Sequence, residues 1–106
     1  MADETLESLK ASQIPDNVLF YHLRLDPDYA TDEDKVFAKY AYAAALAHIG
    51  ETYGIDTEYM DACADIPLAV LALARDLFDN RTMTVDKANE NQTVKAIMSC
   101  HNFNLL

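Results

Sequence analysis

Hydrophobic residues recur at helical intervals along most of this chain, and in two places they do so with no charge between them. Positions 40–50 contain no Asp, Glu, Lys or Arg, and neither does the run Ile66-Pro67-Leu68-Ala69-Val70-Leu71-Ala72-Leu73-Ala74. A surface helix with one buried face carries charge on its other face about every second turn, so both stretches depart from the ordinary amphipathic pattern. In the first, Val36, Phe37, Tyr40, Ala43, Ala44 and Ala47 make one apolar stripe, and Tyr42, Leu46, Ile49 and Tyr53 make another on a different side.

Capping residues divide the chain into five helical segments. Asp3 opens a short helix carrying Leu6 and Leu9, which ends before Pro15. Asp16 opens a second, with Val18, Leu19, His22 and Leu23 on one face, and Asp26-Pro27-Asp28 breaks it. Thr31 followed by Asp34 resembles a capping box, with Asp32 and Glu33 against the positive helix end. That helix is predicted to run to about Tyr53, where Gly50 and Gly54 offer stopping points. Asp65 caps a fourth helix with Pro67 in its first turn, ending near Asn80. The polar stretch 81–90 reads as a loop, and Asn89 with Gln92 caps a last helix through Val94, Ile97 and Met98.

Only two Gly and three Pro occur in 106 residues, too few for strands joined by tight turns. The expected fold is therefore all-α, a single domain spanning 1–106. It is a small bundle of about five helices in which two longer, antiparallel helices are central. Two helices apolar nearly all round are hard to cover in so short a chain. Either the three shorter helices wrap both, or a face is left for another subunit or partner, since an open face would expose roughly several hundred Å2 of apolar surface. The C-terminus poses the same choice. No charged side chain follows Lys95, and Phe103, Leu105 and Leu106 end the chain, so this segment either folds onto its own core or docks on a neighbour.

Charge and chemistry narrow the function by exclusion. Eighteen acidic against eight basic residues leave a formal charge of −10. Such a surface is repelled by phosphate backbones and anionic membranes, and it also serves solubility. The N-terminal residues show no basic region followed by an apolar run, and no stretch is long and apolar enough for a membrane span. A reducing compartment with Cys63 and Cys100 as free thiols is the expectation. His22, His48 and His101 form no HxxxH pair, the cysteines have no CxxC spacing, and Cys100-His101 lacks a nearby third ligand. Asp32-Glu33-Asp34 lacks the alternating ligands and central Gly of a calcium loop, and helix capping explains it better. With no phosphate-binding Gly loop and no nucleophile elbow, neither an enzyme nor a metal or cofactor site is expected.

Taken in order, three segments within 16–98 resemble the head–tail connector family of long-tailed phages, the head-completion or DNA-packaging adaptors. They are Val18-Leu19-Phe20-Tyr21-His22-Leu23-Arg24-Leu25-Asp26, then Glu51-Thr52-Tyr53-Gly54-Ile55, then the helix from Ile66-Pro67 to Leu77-Phe78-Asp79-Asn80-Arg81. Thr82-Met83-Thr84-Val85-Asp86-Lys87 and Val94-Lys95-Ala96-Ile97-Met98 extend the likeness, while Cys100-His101-Asn102-Phe103 departs from the family's usual ending. The resemblance implies a structural virion protein, made in the host cytoplasm and ending at the head–tail junction. About a dozen copies would form a ring between the portal protein and a tail-side or stopper protein, with DNA passing through unbound. Residues expected at subunit or partner contacts are Tyr42, Ala44, Leu46, Ile49, Tyr53, Ala72, Phe78, Arg81, Phe103, Leu105 and Leu106. Phe78 is expected to anchor the last helix, Asn80 to cap the fourth, and Arg81 to pair with Asp79 or Glu90. The alternative is a soluble acidic regulator, adaptor- or antitoxin-like, whose apolar faces a different protein fills.

Overall fold

In the computed structural model, which describes residues 10–26, 28–82 and 91–101, three helices begin where a side chain holds a free N–H group. Thr31 Oγ1 accepts the Asp34 N–H at 3.0 Å, opening the longest helix, α2 (Asp32–Tyr53). Asp56 Oδ1 accepts the Tyr59 N–H at 2.8 Å and opens α3 (Thr57–Ala62). Asn91 Oδ1 accepts the Val94 N–H at 3.0 Å and opens α5 (Gln92–Ser99). The remaining helices are α1 (Asp16–His22) and α4 (Ile66–Asp79), and no strand occurs among the described residues.

Three helices, α1, α2 and α4, end by one device. Gly54 lies in the left-handed region at φ 63°, and the Ile55 N–H returns to the Gly50 carbonyl at 3.1 Å. The same closure ends α1 with Arg24 at φ 62° and α4 with Arg81 at φ 52°. There Leu25 N–H bonds Phe20 O at 2.9 Å and Thr82 N–H bonds Leu77 O at 3.0 Å.

Three local expectations need correcting. α3 was not expected, because six residues are too short to show a period. Asp65 stands at the start of α4 in a helical conformation and makes no capping bond; His101 takes its carboxylate instead. Asn91 caps α5, whereas Asn89 lies outside the described residues, as do the expected first helix with Asp3, Leu6 and Leu9, and positions 83–90.

The core is built around α4, which touches each of the other four helices. Ile66, Pro67, Ala69, Val70, Leu71, Leu73, Ala74, Leu77 and Phe78 are all buried. Against them α2 sets Ala38, Ala41, Ala45 and Ile49, each fully enclosed. The alanines let the two axes approach while the larger side chains of α4 fill the space between, and each fully buried Leu, Ile or Val there contributes roughly 1.5–3 kcal/mol. The helices run antiparallel, as expected. Phe37 near the start of α2 meets Phe78 at the end of α4 with ring centroids 5.7 Å apart, while Tyr53 and Leu73 line one small cavity further along.

α4's charge-free run is thus taken up within the chain's own core, with Leu68 its one exposed residue. Residues 10–15 strap across the base of this core. Tyr42 Oη donates to Ala11 O at 2.6 Å and accepts the Ile14 N–H at 3.3 Å. Asp61 takes the Ser12 N–H at 3.0 Å and its hydroxyl at 2.7 Å.

Candidate interaction surface

At 3.6 residues per turn, the side of α2 opposite Ala38, Ala41, Ala45 and Ile49 carries Val36, Tyr40, Ala43 and Ala47. All four are exposed, Tyr40 at 62% and Val36 at 50%. Their spacing of four, three and four residues is that of a helix–helix seam, and none of the other described helices packs over it. Small residues at its C-terminal half allow close approach by a partner, and the bulky pair at its N-terminal half supplies apolar area. Asp32, Glu33, Val36, Phe37 and Tyr40 together enclose an open hollow of about 330 Å3.

Most residues expected at contacts sit elsewhere. Ile49 is fully buried against α4, and Tyr42, Ala44, Leu46, Tyr53 and Ala72 are half-buried against the same core. Ile49 is therefore a core residue. Tyr42 is an internal tether, its hydroxyl used twice by the strap, and burial raises its pKa from the usual tyrosine value. Ala72 accepts the Asn91 side-chain N–H on its carbonyl at 3.3 Å. Phe103, Leu105 and Leu106 lie outside the described residues. The outward stripe, by contrast, was legible as apolar but not as the outer side. The signal that marks it is its position opposite the line Ala38, Ala41, Ala45 and Ile49.

Phe78 and Arg81 form a clamp between the start of α2 and the end of α4. Phe78 is buried and meets Phe37 of α2. The Arg81 guanidinium lies 4.5 Å from the Phe78 ring centroid and 5.1 Å from that of Phe37. Its ion pair is with Asp34 at 3.2 Å; Asp79 pairs with Arg75 at 3.6 Å, and Glu90 lies outside the described residues. Asn80 ends α4 as expected, donating to the Asp76 carbonyl at 3.0 Å.

A second, larger hollow of about 600 Å3 opens between α1 and α4, lined by Tyr21, His22, Arg24, Leu25, Asp26 and Arg75. Tyr21 is 85% exposed. Burial, aided by the Arg75 charge, holds the His22 pKa below the ordinary value of 6.5. Sequence reading attached no role to this cluster, because Arg75 on α4 lies about fifty residues from the segment 21–26.

The densest polar cluster is a latch. His101 Nε2 sits 2.8 and 2.9 Å from the Asp65 carboxylate oxygens, and Nδ1 sits 3.0 Å from Tyr59 Oη. Both ring nitrogens are occupied by these contacts. The arrangement ties the end of α5 to α3 and to the start of α4. Among the described residues no group of three or more His, Cys, Asp or Glu is placed to hold a metal ion, and no helix is long and apolar enough to cross a membrane. No family model, curated protein or solved structure matches the chain.

Proposed function

We propose that this chain is a structural assembly subunit, the head–tail connector of a tailed phage. Copies of it would form a ring that joins portal to tail and lets DNA pass without binding it. The observation that carries the reading is the outer side of α2. It is apolar over Val36, Tyr40, Ala43 and Ala47 and exposed, while the buried core of the described residues lies on the opposite side of α2. The resemblance adds order and spacing. Its three segments coincide with the ends of α1, α2 and α4, at Leu23-Arg24-Leu25, Tyr53-Gly54-Ile55 and Asn80-Arg81. These are the stops that set helix lengths in the bundle, so they support a shared frame, and the open stripe supports assembly on it. The formal charge of −10 suits a bore through which DNA slides, because phosphates find few cations there.

The test is mass by light scattering across concentration, followed by negative-stain imaging with and without portal protein. Rings, or assembly triggered by the portal, are expected, and Tyr40→Glu with Ala43→Glu should abolish them while helicity by circular dichroism is retained. A concentration-independent monomer that ignores the portal refutes the connector. If that monomer instead holds a different protein through the same stripe, the acidic regulator is the correct reading.

A further inference from the structure

Two hollows on the described surface carry opposite charge and share no residue. The rim of the first is Asp32 and Glu33, beside the Val36 and Tyr40 ridge. Both carboxylates are exposed, and neither makes an ion pair among the described residues. The second is lined by Arg24 and Arg75 with Tyr21 and Leu25. The chain has three arginines, and Arg81 is committed to Phe37, Phe78 and Asp34. The other two line this one hollow. Arg24 holds a left-handed backbone that favours glycine, yet its side chain has no ion pair among the described residues to account for an arginine there. Arg75 gives its Nε edge to Asp79 at 3.6 Å, which leaves its terminal nitrogens for another acceptor. Asp26 also lines the hollow and accepts the Asp28 N–H on Oδ1 at 2.9 Å; its charge offsets one guanidinium, and the two arginines leave the lining net positive.

We infer that these hollows are the two halves of one head-to-tail contact between copies of this chain. The Asp32–Glu33 rim and the Val36–Tyr40 ridge of one copy dock on the Tyr21, Arg24 and Arg75 hollow of the next. The inference rests on the assembly reading above and adds which faces meet. Charge supports a second copy as the occupant, because acidic rim and basic hollow are complementary to each other and neither is complementary to itself. A two-fold contact would set like charges together. A contact between two different patches repeats instead, and closes into a ring when the rotation allows. Guanidinium–carboxylate pairing sets the register, and the exposed Tyr21 and Tyr40 bring aromatic area to the centre.

Charge reversal tests this by sedimentation velocity up to about 1 mM protein. Arg24→Glu with Arg75→Glu, and separately Asp32→Arg with Glu33→Arg, should each weaken association at least about tenfold, with unchanged circular dichroism. Mixing the two variants should restore assembly, since each mixed contact is again of opposite charge. Raised salt should weaken the wild-type contact. If the wild type assembles and both reversals leave it unaffected, or mixing fails to restore it, the assignment of faces is overturned while the assembly reading stands. A wild type that stays monomeric throughout, and assembles with neither itself nor portal, overturns both.

Discussion

The two left-handed arginines make opposite predictions from one substitution. Arg24→Gly relieves a conformation that costs a non-glycine residue roughly 1–2 kcal/mol, less about 0.4–1 kcal/mol of extra freedom that glycine gives the unfolded chain. Its side chain has no ion pair among the described residues to lose, so a net gain of about 0.5–1 kcal/mol is expected. Arg81→Gly gains the same relief but forfeits two guanidinium–ring contacts, at 4.5 and 5.1 Å, worth about 0.5–1 kcal/mol each. It also loses the 3.2 Å pair with Asp34, whose partners are 55% and 33% exposed, so a few tenths of a kcal/mol is the appropriate share. The balance is a net loss of about 1 kcal/mol, or roughly 4–8 °C in Tm for a domain of this size. Urea and thermal unfolding followed by circular dichroism, at protein concentrations low enough that assembly adds nothing, would separate the two. If Arg24→Gly destabilises, or if Arg81→Gly stabilises as much as Arg24→Gly does, the claim that Arg81's strain is offset by its stacking is wrong.

Other perturbations check other parts of the argument. Ile49→Ala should cost about 2–4 kcal/mol in urea unfolding, because the residue is fully buried against α4, whereas Tyr40→Ser on the opposite side should stay within about 0.5 kcal/mol. Tyr42→Phe removes both bonds to the strap and should destabilise by about 1–2 kcal/mol, with faster amide exchange at Ile14. His22 has a folded pKa below its unfolded value of 6.5, so the unfolded chain takes up the proton first as pH falls. Its contribution to stability is whole above about pH 6.5 and declines below it until the folded pKa is reached. His22→Gln should flatten that part of the stability–pH curve, and an unchanged slope would place the titrating group elsewhere.

How much of this was legible beforehand can be followed along α2. Thr31, the acids after it and Gly54 set both ends correctly, because capping and left-handed termination depend on neighbours in sequence. Which apolar side turns inward does not. A helix lacking charge for eleven residues offers several apolar lines at similar spacing, and periodicity cannot rank them. α4 packs on the line Ala38, Ala41, Ala45 and Ile49, whose three alanines let its own bulky face come close. Tyr42, Leu46 and Ile49 therefore went to the core or its edge, and Val36 and Tyr40 stayed outside. Arg81 shows the same division. Its place at the end of α4 was readable, but its partners Asp34 and Phe37 lie more than forty residues away and are brought near only by antiparallel packing.

The sequence by itself determined the all-helical class, the spans of α2 and α4, and an apolar content on α2 that one core need not absorb. Those follow from caps, turns and composition, which act over a few residues. Tertiary structure decided which side of α2 is inside, that most of α4's charge-free run is buried, and that Arg24 and Arg75 share one hollow. Each of these is an outcome of several helices competing for the same buried volume, and such competition leaves no local mark in the chain.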